Sequence, residues 1–316
     1  MQRITLGRSG LSVPRLCLGT NNFGGGQLSE ETSLKIMSRA LDLGIDFFDT
    51  ASVYTQGNSE KVIGQFVKGR RSDVIIATKA GMEGNMRPNT HPNKSSVSRM
   101  NILYRVKQSL ESLQTDYIDL FYVHKFDPNI PLEETMTTLD TLVKRGTVRY
   151  IACSNYSSEQ IAESRNIVER LGLENFIAVQ NEYNFFEREI ESSVIPYCAK
   201  NGIGTLGYSP LASGVLAGRY EKDRPPPVGS RATYKPKGWL DEHTDEEKFR
   251  RLEVIKNVAS KTGLSLPTLS ISWALRENGV NTVIVGASRP EQLDDCAKAV
   301  DVRLSSQIVD DLKESL

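Results

Sequence analysis

Short apolar runs alternate with amphipathic stretches eight times along this chain, and few folds accommodate such a pattern. The runs fall at 15–20, 45–49, 74–79, 118–124, 148–154, 176–182, 203–209 and 281–286. Several, such as Val74-Ile75-Ile76-Ala77, are continuously apolar, as expected of strands buried on both faces. Helical patterns lie between them at 29–43, 59–69, 98–114, 132–145, 158–171 and 189–201, then at 246–262 and 267–278, and finally at 290–299 and 305–315. The first opens on Ser29 as a cap and carries Leu34, Met37, Ala40 and Leu41 on one face.

Strand–helix alternation implies a parallel sheet with right-handed crossovers. Eight strands favour an α/β fold of the closed (β/α)8 TIM-barrel type over an open doubly wound sheet, and no GxGxxG follows the first strand. The 316 residues suit one barrel domain spanning 1–316. Ahead of the barrel, Arg3 to Val13 reads as a β-hairpin that closes one end of the core. After strand 7 a long loop, Ala212 to Glu247, holds Pro225-Pro226-Pro227 and little periodicity.

In a barrel the C-terminal strand ends share one face, and that face carries the chemistry. Here they read Thr20, Asp49, Lys79, His124, Ser154-Asn155, Gln180-Asn181-Glu182, Tyr208-Ser209-Pro210 and Gly286-Ala287-Ser288. Asp49 closes the run Gly44-Ile45-Asp46-Phe47-Phe48, and Tyr54 follows in a turn containing Gly57. A buried carboxylate needs a partner, which Lys79 provides at the next strand end. Asp49 and Lys79 alone would read equally well as a structural ion pair; Tyr54 and His124 at the same mouth favour chemistry. An ammonium beside a phenol favours the phenolate and brings tyrosine closer to use as an acid. Tyr54 is then the proton donor, Lys79 and Asp49 tune it, and His124 aims a carbonyl oxygen at it. Such a group supplies no electrons, so a hydride donor is the missing part.

Lys plus Arg and Asp plus Glu both number 39, so no global charge points to nucleic acid or an anionic membrane. Cys17, Cys153, Cys198 and Cys296 lack CxxC or Cys/His ligand spacing, which predicts reduced, buried thiols and neither zinc nor a disulfide framework. A metal-dependent barrel hydrolase or aldolase fails for want of ligands, because His124 is the one histidine at a strand end. The start of the chain lacks an apolar leader and no run is long enough to span a membrane, so a cytoplasmic protein is expected.

Asp49, Tyr54, Lys79 and His124, each in its own strand context, resemble the catalytic tetrad of the aldo-keto reductases. The similarity continues through Leu18-Gly19-Thr20, Ser154-Asn155-Tyr156, Gln180-Asn181-Glu182-Tyr183, Tyr208-Ser209-Pro210-Leu211-Ala212 and Gly286-Ala287-Ser288-Arg289-Pro290-Glu291-Gln292-Leu293. Within the family the chain looks closest to bacterial and plant members that also resemble potassium-channel beta subunits. The resemblance implies reversible carbonyl reduction with a nicotinamide cofactor that Thr20 and Asp49 help to bind. Ser154, Asn155 and Gln180 would hold the carboxamide, Tyr208 would stack on the ring, and Ser209, Pro210, Leu211 and Gly214 would line the pyrophosphate. Gly286, Ser288, Arg289, Gln292 and Asp295 would surround the adenosine and its 2′-phosphate. The long loop is expected to close over the cofactor, and the position and charge of Arg231 there make it an expected phosphate contact. A helix beginning near Pro290, with its N-terminal amides and the adjacent Arg289 guanidinium, suits an anion and favours NADPH, with NADH as the alternative. Tyr54, His124 and Phe23 are the expected substrate contacts.

Two positions depart from the family pattern: Cys296 follows Asp295 where an Asn is usual, and Asn21 follows Thr20 where many members carry an aromatic. The pocket walls are expected from the loops around Phe23, Met82 to Pro92, Phe126 and the long insertion. The alternative function is an NADP(H)-binding redox sensor or channel-associated subunit with little turnover, for which the short segment ahead of the barrel offers no docking extension. Neither the substrate nor the oligomeric state follows from these residues.

Overall fold

A computed structural model describes residues 1–25, 28–82, 97–233 and 238–313. The hairpin pairs β1 (Arg3–Thr5) with β2 (Ser12–Pro14), antiparallel. The eight strands that follow are β3 (Leu16–Gly19), β4 (Phe47–Asp49), β5 (Ile75–Ala80), β6 (Ile118–Val123), β7 (Val148–Ser154), β8 (Ala178–Glu182), β9 (Gly204–Tyr208) and β10 (Thr282–Gly286). They close into a parallel barrel in the order β10-β3-β4-β5-β6-β7-β8-β9. The expected (β/α)8 barrel with its N-terminal hairpin is therefore the fold.

Period-two alternation divides each strand between two cores. Cys17, Phe47, Ala77, Leu120, Tyr122, Ala152, Ala178, Leu206 and Ile284 fill the barrel interior, while Leu18, Phe48, Ile76, Phe121, Ile151, Val179 and Val285 pack outward against helices. Leu6 and Val13 of the hairpin join the interior set, both fully buried, and plug its N-terminal end. Gly7 sits there in left-handed backbone where a Cβ would fall 2.3 Å from the Ile177 carbonyl oxygen, so only glycine permits that approach.

The surrounding helices start where the caps predict. In α1 (Glu30–Asp42) the Ser29 side chain accepts from the Thr32 amide, and Ile36, Met37 and Ala40 are buried. Next come α2 (Asn58–Val67), α3 (Arg99–Leu113), α4 (Leu132–Lys144) and α5 (Ser158–Leu171), the last opened by a Ser157/Gln160 capping box and ended by left-handed Gly172. Then follow α6 (Val194–Asn201), α7 (Trp239–His243), α8 (Glu246–Thr262), α9 (Leu266–Ala274), α10 (Gln292–Lys298) and α11 (Ser306–Lys313).

The helix expected over 189–201 starts at Val194, because a separate 3₁₀ turn occupies Glu189–Glu191. The loop after β9 is less irregular than its sequence: it opens with a 3₁₀ turn at Ala212–Ala217 and includes α7. All four cysteines are buried and free. Among the described residues no helix is long and apolar enough to cross a membrane.

Candidate active site

The same alternation builds the site. Two residues beyond each interior side chain, the strands present Asp49 after Phe47, Lys79 after Ala77, His124 after Tyr122, Ser154 after Ala152, Gln180 after Ala178 and Tyr208 after Leu206. Register staggers the first of these ends, Asp49 lying opposite Ala77 and Lys79 opposite Tyr122, and pairs Ser154 directly with Gln180. Polar side chains thus form the top layer of an otherwise apolar interior.

Lys79 lies at the centre, fully buried. Its Nζ is bonded to Asp49 Oδ1 and donates to the Thr50 carbonyl at 2.9 Å and to the Tyr54 hydroxyl at 3.3 Å. The other Asp49 oxygen accepts from Gln180 Nε2 at 2.9 Å, and the Asp49 carbonyl accepts from both the amide and the hydroxyl of Thr20. Burial opposes the charge on Lys79, but Asp49 and Tyr54 more than offset it and hold its pKa above the usual lysine value. For Tyr54 burial wins: its pKa is raised, with Lys79 offsetting only part of the effect. The expected net activation by Lys79 is thus outweighed, and Tyr54 is a neutral phenol at physiological pH.

His124 stands edge-on to Tyr54, ring centroids 6.0 Å apart. Burial first, and the Lys79 charge second, depress its pKa to about 3, so the imidazole is neutral. Its Nδ1 is buried without a partner among the described residues. A neutral imidazole has one N–H to donate, which suits a substrate oxygen.

Tyr54 and His124 open into a cavity of about 630 Å³. Every residue expected to hold the cofactor lines it: Thr20, Asp49, Ser154, Asn155, Gln180, Tyr208, Ser209, Pro210, Leu211, Gly214, Arg231, Gly286, Ser288, Arg289, Gln292 and Asp295. Asn155 is anchored by donating to the His124 carbonyl at 3.0 Å and to Ser154 Oγ at 3.1 Å, and its Oδ1 accepts from the Tyr208 hydroxyl at 2.9 Å. Non-glycine residues in left-handed backbone line this cavity at Asn155, Ser209 and Ser213. Such conformations persist where surrounding contacts enforce them.

Several expectations need correction. Phe23 is fully buried in the core around the barrel and does not line the cavity, because the chain turns after Thr20; Asn21 and Asn22 line that wall instead. The helix expected near Pro290 begins at Gln292, whose Oε1 accepts from the Ser288 and Arg289 amides of the turn before it, at 2.8 and 3.2 Å. The wall expected from Met82 to Pro92 lies outside the described residues beyond Met82, which does line the cavity.

Arg219 is a cavity residue that sequence reasoning missed. Its signal was a basic residue just after Gly218 in a loop leaving a strand end. Among the described residues, none of Arg219, Arg231 and Arg289 pairs with a carboxylate, and Arg231 donates to Ser213 Oγ at 3.1 Å. The far end of the cavity is thus positively charged and the near end holds acid–base groups.

A buried proton donor on the wall of a cavity that also carries guanidiniums, at the C-terminal mouth of a barrel, is the arrangement of a barrel oxidoreductase. The chain belongs to the aldo/keto reductase family, whose sequence profile it matches over residues 15–316. Members of that family are NAD(P)H-dependent oxidoreductases acting on carbonyl groups. Two similar proteins are both named "probable voltage-gated potassium channel subunit beta". The one from Oryza sativa subsp. japonica is 35% identical over 319 residues, 99% of this chain and 96% of the rice protein. The one from Arabidopsis thaliana is 36% identical over 306 residues, 96% of this chain and 92% of its own length.

The donor set fits a nicotinamide dinucleotide. Guanidiniums suit its phosphates, the Tyr208 ring offers a flat face, and Ser154 and Gln180 offer hydrogen-bonding groups beside Tyr54.

Proposed function

We propose that the protein reduces an aldehyde or ketone to the alcohol with NADPH, and runs the reverse reaction with NADP. One observation carries this reading: the Lys79 ammonium joins Asp49 to the Tyr54 hydroxyl, at 3.3 Å from the latter, on the wall of a cavity of about 630 Å³. A nicotinamide held beside Ser154, Asn155, Gln180 and Tyr208 would supply the hydride that the carbonyl carbon receives. Tyr54 gives its proton to the carbonyl oxygen as that oxygen gains charge. The phenolate left behind lies beside Lys79, which favours it, and Asp49 keeps the lysine charged and in place. His124 donates to the same oxygen and holds it toward Tyr54.

Arg219, Arg231 and Arg289 favour NADPH over NADH by attracting its additional phosphate as well as the pyrophosphate. The remaining cavity residues take the roles that the family resemblance implies, and Gln180 also steadies Asp49. A small carbonyl compound is the proposed partner, with neither nucleic acid nor membrane, for one barrel domain working in the cytoplasm.

Tyr54→Phe is expected to lower carbonyl-dependent NADPH oxidation by 10³-fold or more, roughly, with the NADPH dissociation constant within about twofold of wild type. Turnover retained in Tyr54→Phe would refute the assignment.

The names of the rice and Arabidopsis relatives favour a second reading, a channel-associated subunit that holds NADP(H) with little turnover. Slow release of NADPH with no turnover across a panel of aldehydes, ketones and sugars would select it.

A further inference from the structure

Behind the catalytic layer lies a hydroxyl cluster that no step of the reaction uses directly. Ser59, in the first turn of α2, is fully buried and outside the cavity lining. Its Oγ lies 2.8 Å from Thr20 Oγ1, 2.8 Å from Thr50 Oγ1 and 2.8 Å from the Thr20 carbonyl oxygen. Thr20 and Thr50 are also fully buried. One arrangement of protons satisfies all three hydroxyls: Thr50 donates to Ser59, Ser59 to the Thr20 carbonyl, and Thr20 to the Asp49 carbonyl at 2.9 Å. One serine thereby ties the end of β3, the end of β4 and the start of α2 to one another.

Tyr54 lies on the segment between Thr50 and Ser59. That segment passes through left-handed backbone at Thr55 (φ 46°), Gln56 (φ 58°) and Gly57 (φ 87°). Left-handed non-glycine residues cost energy and persist only when held. Thr55 Oγ1 holds the middle by donating to the Phe23 carbonyl at 2.6 Å, and Ser59 joins the two ends through Thr50. The carbonyl of Thr50 is also the oxygen that accepts from Lys79 Nζ at 2.9 Å. The same cluster therefore bears on both partners of the proton donor, the turn carrying Tyr54 and the seat of the Lys79 ammonium.

We propose that Ser59 is a positioning residue for carbonyl reduction, fixing the Tyr54 hydroxyl relative to Lys79 through its bonds to Thr50 and Thr20. The inference rests on the assignment of Tyr54 as proton donor. Misplacement of a reacting group by a fraction of an ångström slows chemistry while leaving binding of a cofactor, held mostly by other elements, largely intact.

The test compares Ser59→Ala, Thr50→Val, Thr50→Ser and Tyr54→Phe with wild type. It uses steady-state reduction of one good carbonyl substrate, NADPH binding by fluorescence, and the solvent deuterium isotope effect on kcat. Ser59→Ala is expected to lower kcat on the order of tenfold and to raise the isotope effect, because proton transfer becomes slower, with the NADPH dissociation constant within about twofold of wild type. Thr50→Val, nearly isosteric but without the hydroxyl, is expected to match it, whereas Thr50→Ser keeps the hydroxyl and restores most of kcat. A purely structural role would lower thermal stability in Ser59→Ala and Thr50→Val without moving the isotope effect, and that result overturns the proposal. So does wild-type kcat in both variants when Tyr54→Phe is dead. If Ser59→Ala does not fold, the Thr50→Val and Thr50→Ser pair decides by the same criteria. Turnover retained in Tyr54→Phe overturns instead the reading on which the inference rests.

Discussion

The two ends of the cavity are built differently. At the near end Asp49, Lys79 and His124 come from β4, from β5 and from just beyond β6; all are almost fully buried, and the ion pair has its hydrogen bonds satisfied by Thr50, Tyr54 and Gln180. At the far end three guanidiniums lie outside the strands and none of them pairs with a carboxylate among the described residues, while the one carboxylate there, Asp295 of α10, pairs with Lys298. Rigid strands hold the groups that must meet within hydrogen-bonding distance. Loops suffice for an attraction that falls off slowly and tolerates displacement.

Breaking the near end should therefore have the larger effect. Lys79→Met leaves Asp49 buried without its counter-ion, and is expected to lower kcat by roughly 10²-fold or more and to destabilise the fold by about 3–5 kcal/mol. Assays beside chemical denaturation measure both, and a loss of activity without a loss of stability would contradict the picture of a charge pair that the barrel needs. Arg231→Ala or Arg289→Ala at the far end should instead raise KM for NADPH about tenfold with kcat nearly unchanged, and raise KM for NADH less. Equal losses for the two cofactors would mean that these arginines read only the shared pyrophosphate.

The smallest effect sharpens the contrast through pH. The folded pKa of His124, about 3, lies below the unfolded value of roughly 6.5, so between them the unfolded chain takes up a proton that the fold refuses. Its contribution to stability is complete above the unfolded value and declines as pH falls toward the folded one. From pH 7 to pH 5 this amounts to about 2 kcal/mol, and His124→Gln should unfold in urea with that much less dependence on pH.

Much of the catalytic end was legible in the chain. A period of two couples a residue's place on a strand to the face it presents, so Asp49, Lys79 and His124 could be placed at one mouth from spacing alone. Phe23 and the amides of Ser288 and Arg289 were not legible in the same way. They lie in irregular backbone, where no period relates position to direction. Arg219 was visible as a charge, but its direction depends on the 3₁₀ turn at Ala212–Ala217 that precedes it.

The amino-acid order by itself determined the eight strands, their parallel closure and the chemical identity of the groups at their ends, because apolar periodicity is local information. Only the tertiary structure decided which of those groups touch and what burial does to them. Gln180 reaches Asp49 across 131 residues of sequence, and burial rather than the Lys79 charge sets the state of Tyr54. Ser59, an ordinary helix residue in sequence, meets Thr20 and Thr50 only because three strand and helix ends converge. Contacts of that kind depend on distances between remote segments, which follow from closing the barrel and not from any local pattern.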